Sequence, residues 1–301
     1  MKMAQVKKMI YRFDQGDASM RQLLGGKAAN LSVLAESYRV PPGFAVTAEA
    51  FDQAIYGGFL QDPTSGRGHQ IPESLYGLIA DAYRTLSERC DQDHLSVAVR
   101  SSALDEDGSS ASFAGQHDTF LNVVGEQAVA KAIAGCWRSV YSPHALDYRR
   151  RQGLPLDNMK MATLVQQLVP SEISAVVFSA NPITGNRKEV SINASWGLGE
   201  SIVAGTVTPD TFVIRKATMA VVTAEIGDKT SMTALIPGGT QEIDVPAKSQ
   251  RQPSITHEQA VEMARLAVEL EAKMGWPVDI ECAYYQERLY LLQCRPITTI
   301  G

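Results

Sequence analysis

The closing stretch of the chain, Asp279 to Pro296, most constrains the fold, because it reads as two strands and a short turn. Asp279-Ile280-Glu281-Cys282 alternates acid with apolar residues. The second run places Leu291, Gln293 and Arg295 on one face and Tyr290, Leu292 and Cys294 on the other. Loop length sets which side chains meet. A two-residue loop pairs Glu281 with Leu292, whereas a three-residue loop, Gln286 to Arg288, pairs Glu281 with Gln293 and Asp279 with Arg295. The second register is preferred because it gathers every polar group on one side. A carboxylate beside an amide oxygen is half of a hard-cation site, and an arginine two residues on suits a phosphate oxygen. The same stretch also reads as a half-exposed hairpin with a surface ion pair, worth at most about 1 kcal/mol.

Upstream of the hairpin, strand and helix patterns interleave, which predicts an α/β or α+β class. Gly25-Gly26-Lys27 opens a helix running to about Tyr38, and Thr47 caps the next one, Glu49 to Leu60. Pro72 to Cys90 reads as helix, Val97 to Ala103 as strand, and Met161 to Val169 as an apolar strand holding Gln166 and Gln167. Gly227 to Pro253 reads as mostly irregular. Thr256 with Gln259 has capping-box spacing, an apolar stripe follows, and Gly275 ends that helix. A lobe boundary is expected near Val169-Pro170, giving lobes 1–169 and 170–301.

With 301 residues and a formal net charge of −5, the chain shows no basic stripe, so nucleic acid is not an expected partner. No apolar run of membrane-spanning or signal-peptide length is present, and Cys90, Cys136, Cys282 and Cys294 lack metal-ligand spacing. A cytoplasmic protein with reduced thiols and no membrane association is expected.

Three further stretches point to phosphate. Gly25-Gly26-Lys27 at a helix start aims backbone amides, the helix dipole and an ammonium the same way. Arg100 leaves a strand into a Ser/Gly-rich loop, Ser109 to Gln116, whose amides and hydroxyls can fold over phosphates. Each also reads as an ordinary cap or surface loop. There is no Walker sequence, and Gly197-Leu198-Gly199 lacks the third glycine of a dinucleotide fingerprint.

Together these pieces resemble a known family. The motifs are Gly26-Lys27-Ala28-Ala29-Asn30-Leu31, Pro42-Gly43-Phe44, Val99-Arg100-Ser101-Ser102, Ser112-Phe113-Ala114-Gly115-Gln116, Asn181-Pro182-Ile183-Thr184-Gly185, Gly197-Leu198-Gly199-Glu200, Thr208-Pro209-Asp210 and the closing Asp279-Ile280-Glu281 with Gln293-Cys294-Arg295-Pro296. They are similar, in this order, to the ATP-binding domain of phosphoenolpyruvate synthase, pyruvate phosphate dikinase and rifamycin phosphotransferase. The resemblance implies a variant ATP-grasp fold with ATP and Mg²⁺ held between two lobes. It puts Lys27, Arg100, Gly115 and Thr119 around the triphosphate, with Lys27, Arg100 and Arg295 as catalytic charges. It gives Gln166 the adenine edge, Glu281 and Gln293 the Mg²⁺, and Arg295 a phosphate. Asn181 stands where the family usually has Asp, and Cys282 where an aromatic is common.

Longer members of that family carry a phosphorylated histidine in a Gly-Gly-x-Thr-Ser-His setting, and this sequence has none; His117 sits inside the ATP-domain motif. The expectation is therefore the ATP-binding subunit of a split dikinase, like those of phenylphosphate synthase systems. It would work with a phosphohistidine-carrying partner protein or domain and with an acceptor, a phenol or cresol, bound by that partner. The rival expectations are the ATP-binding domain of a pyruvate- or rifamycin-type enzyme, an ATP-sensing module without chemistry, and an ATP-grasp ligase.

Overall fold

The computed structural model describes residues 9–56, 71–104, 107–108, 111–112, 118–156 and 159–298. The chain divides into two compact units, Met1–Glu36 with Pro42–Leu168, and Ser37–Pro41 with Val169–Gly301.

The first unit contains β1 (Ile10–Arg12), α1 (Arg21–Leu34), β2 (Gly43–Val46), α2 (Ala48–Tyr56), α3 (Glu73–Arg89), β3 (Val97–Ala103), β4 (Asp107–Gly108), β5 (Ala111–Ser112), β6 (Thr119–Val123), α4 (Glu126–Ser139), α5 (Pro143–Arg151) and β7 (Met161–Gln167). Five strands form one sheet in the order β1-β2-β7-β3-β6. Alternation along the strands sorts its two faces. Phe44, Val46, Val97, Val99, Met161 and Val165 point to one side, where α2, α3 and α4 supply Phe51, Leu75, Ile79, Ile133 and Trp137 to a common apolar core. Trp137 meets Phe51 edge-on, with ring centroids 5.9 Å apart at 74°. The opposite side carries Ala98, Arg100 and Ser102 of β3 and Leu164 and Gln166 of β7, and α1 packs there.

α1 is not one smooth helix. Gly25 has φ 73° and ψ 170°, so the regular turns restart at Gly26. A Cβ at Gly25 would lie 2.2 Å from the carbonyl oxygen of Ser102, so only glycine fits. The helix ends at Leu34, short of the expected Tyr38.

The second unit contains β8 (Ile173–Phe178), β9 (Glu189–Trp196), α6 (Glu200–Val203), β10 (Asp210–Arg215), β11 (Ala220–Glu225), β12 (Ser231–Ile236), β13 (Gly239–Asp244), α7 (Ala247–Gln250), α8 (His257–Met274), β14 (Val278–Tyr285) and β15 (Arg288–Pro296). Six strands pair in the order β11-β10-β9-β8-β14-β15. α8 lies across the face built from Val177, Ile192, Ile214, Ile280 and Cys282, burying its own Ala260, Met263, Ala264, Ala267 and Leu270 against it. The Thr256–Gln259 capping box and a left-handed Gly275 bound this helix, as its sequence predicts. Residues 37–41 cover the outer strand: Leu291 donates its N–H to the Arg39 carbonyl at 3.0 Å, and the Arg39 guanidinium lies 5.7 Å from the Tyr290 ring centre.

Every strand pairing among the described residues is antiparallel, so the mixed class resolves to α+β. The stretch read as irregular holds the β12–β13 hairpin, turned at Pro237-Gly238, and the short α7. Its second strand, Gly-Thr-Gln-Glu-Ile-Asp, lies half-buried to exposed and shows no apolar alternation. No helix among the described residues is long and apolar enough to cross a membrane.

Candidate functional site

In the first unit, four of the predicted ligands share one side of the sheet. Arg100 and Thr119 are cross-strand partners of β3 and β6, so both leave the same face. Gln166 pairs with Ala98 on β3, which by alternation shares that face with Arg100. Lys27, from α1 on this side, donates its Nζ to the Ser101 carbonyl oxygen at 3.2 Å, which holds the ammonium beside the Arg100–Ser102 end of β3. Ser102 fixes the helix start. Its hydroxyl donates to the Leu24 carbonyl at 2.9 Å and accepts from the Ala28 N–H at 3.4 Å, spanning the Gly25 break. Gln166 is 2% exposed, between Gly43 and Ala98. Gly115, the rest of 113–117 and His117 lie outside the described residues.

In the second unit, β14 and β15 pair Asp279 with Arg295 and Glu281 with Gln293. The construction differs from the sequence reading. Tyr285 pairs with Arg288, so the loop has two residues, Gln286 and Glu287, both left-handed with φ 50° and 58°. The register then slips by one between Glu281 and Cys282, leaving Leu292 as an extra residue in β15. That bulge delivers the polar pairing without a three-residue loop. It also turns Leu291, expected beside Gln293, onto the other face, where it is paired with Cys282 and buried. Cys282, in the position where an aromatic is common, faces α8 and packs in the core.

The hairpin's polar face, the one α8 does not cover, is tightly knit. Gln293 Nε2 donates to Glu281 Oε1 at 3.0 Å. Arg295 donates from Nε at 2.9 Å and Nη2 at 2.8 Å, both to Asp279 Oδ2. Asp279 is 6% exposed, and its second oxygen, Oδ1, is buried without a hydrogen-bond partner among the described residues. Burial pushes this carboxyl up to about 6; Arg295 pulls against that shift and Glu281 adds to it. A buried carboxylate oxygen with nothing to accept from is costly, and a cation relieves that cost. No cluster of three or more His, Cys, Asp or Glu side chains among the described residues makes a metal cage. The available donors are carboxylate and amide oxygens, the set a hard cation takes when nucleotide and water complete its shell. Sequence reading noticed Asp279 only as a partner for Arg295. The pairing was legible, but the burial that orphans Oδ1 was not.

Other motifs turn out to build the scaffold. Asn181 Oδ1 accepts from the N–H groups of Ile183 and Thr184 at 3.1 and 3.2 Å, and its Nδ2 donates to Glu189 Oε2 at 3.1 Å. An aspartate there would keep the turn but oppose Glu189, which accounts physically for asparagine. Gly197 (φ 75°) lets the Thr233 carbonyl approach to 2.4 Å of where a Cβ would sit, and Leu198 bonds to that carbonyl. Asp210 is wholly buried and pairs with the wholly buried Lys229; it also accepts from the N–H of Gly227 and from both N–H and hydroxyl of Ser254. Lys229 and Ser254 gave no signal in the sequence, since neither lies in a periodic stretch.

A helix start and an arginine thus share one sheet face of the first unit, and the second unit carries an oxygen-lined hairpin with its own arginine. The family model for the pyruvate phosphate dikinase AMP/ATP-binding domain matches residues 67–301, and the chain belongs to that family. It is 36% identical over 304 residues to a probable phosphoenolpyruvate synthase of Methanocaldococcus jannaschii, covering 92% of this chain and 26% of that protein. It is 37% identical over 309 residues to a rifampicin phosphotransferase of Streptomyces sviceus, covering 94% of this chain and 35% of that one. It is 34% identical over 363 residues to the phosphoenolpyruvate synthase of Pyrococcus furiosus, covering 97% of this chain and 44% of that one. The chain thus spans between about a quarter and under half of the relatives it matches.

Proposed function

We propose that this chain is the ATP-binding part of a dikinase-type phosphotransferase with a variant ATP-grasp fold, acting with a histidine carried by a partner protein or domain. The observation that carries the reading is the hairpin face: Glu281 beside Gln293, Asp279 gripping Arg295 with one oxygen, and the other oxygen buried with no hydrogen-bond partner among the described residues. Lys27, Arg100, Thr119 and Gly115 contact the phosphates, and Gln166 reads the adenine edge with its amide. Glu281 and Gln293 would hold Mg²⁺. A bound Mg²⁺ supplies neutralisation of phosphate charge.

The partner's imidazole nitrogen bonds to the β-phosphorus of ATP, and the bond from that phosphorus to the α–β bridging oxygen breaks, releasing AMP. The γ-phosphoryl group passes to water as Pi. The remaining phosphohistidine gives its phosphoryl group to an acceptor hydroxyl, by analogy that of a phenol or cresol. Lys27, Arg100 and Arg295 act by position and charge: they orient the triphosphate for in-line attack and offset charge on its oxygens. The relatives' names favour a second reading with the same chemistry and a different acceptor, pyruvate or a rifamycin.

The test is ATP labelled separately at the β and γ positions, incubated with the chain, the histidine protein and a panel of acceptors. AMP and Pi should form together, and the acceptor should carry β label only. ADP as the sole nucleotide product would sink the dikinase reading. ATP binding without turnover under every partner would favour a sensor.

A further inference from the structure

We propose that the second unit carries a separate binding groove for an oligophosphate anion, at the sheet end where β9 begins and β10 ends. The groove has a volume of about 720 Å³ and is lined by Asn186, Arg187, Lys188, Glu189, Arg215, Lys216 and Ala217. That size lies within the range of small-ligand sites, roughly 300–1,000 Å³. Four of the seven lining residues are cations, in a chain whose formal net charge is −5.

The charge is only partly neutralised from within. Glu189 accepts from the Asn181 amide, and Lys216 is paired with Glu271. Arg187, Lys188 and Arg215 are exposed and make no ion pair among the described residues. The ladder carries these charges to the ends of both strands. Arg215 stands opposite Glu189, and beyond that rung the Lys216 N–H bonds to the Lys188 carbonyl at 3.0 Å, which holds the two strand ends together. With Lys216 paired to Glu271, the cations Arg187, Lys188 and Arg215 outnumber the groove's one acid, Glu189, and a net positive charge remains for an anion.

The cations also stand on a fixed frame. The 181–186 turn closes with Asn181 N–H to the Asn186 carbonyl at 3.0 Å and Gly185 N–H to the Asn181 carbonyl at 2.9 Å. Asn186 Oδ1 then accepts from the Lys188 N–H at 3.0 Å. On the other strand, the Arg215 carbonyl accepts from the Met219 N–H at 2.8 Å, holding the turn that follows. Two guanidiniums and an ammonium on two strand ends suit an anion with several phosphate groups in a row; one phosphate engages only some of them. None of these residues belongs to the proposed ATP contacts. The ligand is a free inorganic oligophosphate or the oligophosphate end of a nucleotide.

The experiment is calorimetric titration of inorganic tripolyphosphate into the full chain at low ionic strength, in a Lys27→Ala/Arg100→Ala background that removes first-unit phosphate contacts. One equivalent should bind, and Arg187→Gln/Lys188→Gln/Arg215→Gln should weaken it at least about tenfold, the loss of a few charge-assisted bonds. The same triple change in the otherwise native chain should leave AMP formation intact, so failure of the groove and failure of the ATP reading are separable. ATP as a second titrant distinguishes the sources: groove-dependent binding of ATP marks a nucleotide, and binding of tripolyphosphate alone marks a free anion. Circular dichroism checks folding, and Arg215→Gln alone stands in if the triple variant misfolds. No binding, equal binding by the groove variant, or binding of a poly-glutamate peptide in place of tripolyphosphate would overturn the proposal.

Discussion

An Asp279→Asn substitution separates what the closing hairpin costs the fold from what it contributes to the site. The Asp279 carboxyl is 6% exposed and pushed up to about 6, because burial outweighs the pull of Arg295. In the unfolded chain an aspartate titrates near its ordinary value, about 3.9. The gap of roughly two units corresponds to about 3 kcal/mol. The sign follows from which state holds the proton more tightly. Below about pH 4 the carboxyl is protonated in both states, and the folded protein keeps the full benefit. As pH rises from about 4 to 6, the unfolded chain ionises first, and stability falls by about 3 kcal/mol. Asparagine cannot ionise, so the variant lacks this fall. Its stability relative to wild type should therefore rise by about 3 kcal/mol between pH 4 and 7, whatever the constant offset from altering the Arg295 contact. Urea unfolding followed by circular dichroism at several pH values, without nucleotide or divalent cation, reads this difference. The same variant should bind ATP with Mg²⁺ more weakly, since an amide NH₂ would face any cation at Oδ1. Parallel stability profiles for the two proteins over that range would refute the claim that burial dominates at Asp279.

Gln166→Leu should weaken ATP binding and blunt discrimination against GTP in competition titrations; unchanged affinity for both nucleotides would make the amide purely structural. Lys229→Met should destabilise the protein by about 3–5 kcal/mol in urea unfolding, because Asp210 stays buried without its counter-charge. A loss under about 1 kcal/mol would show that the Gly227 and Ser254 donors suffice alone. Gly25→Ala should lower the melting temperature and weaken ATP binding together, since the new methyl meets the Ser102 carbonyl and displaces the start of α1 beside Lys27. A melting temperature equal to wild type would show that the backbone relaxes freely there.

Much of the scaffold was legible in the chain. The α8 cap, stripe and glycine stop, the Thr47 cap and the apolar run of β7 are local patterns, and each stands where it was read. The pairing of Asp279 with Arg295 and Glu281 with Gln293 was also legible, but on mistaken grounds. Gln286-Glu287 lacks the Asn-Gly character that marks a two-residue turn, and a bulge at Leu292 leaves no trace in an alternating run. The β12–β13 hairpin went unread because its second strand, half-buried to exposed, carries no apolar alternation.

The amino-acid sequence by itself determined most of the elements outside residues 227–253, the start and stop of α8, and which charged and amide residues are candidates for phosphate and metal, since those signals arise between neighbours a few residues apart. Tertiary structure alone decided that Ser102 clamps the start of α1, that Lys229 lies buried against Asp210, that Asp279 has one oxygen gripped and the other without a partner among the described residues, and that Lys216 reaches Glu271 of α8. Each of these depends on partners distant in the chain, and on burial that no local pattern encodes, because desolvation and charge pairing are set by what the whole fold brings alongside a residue.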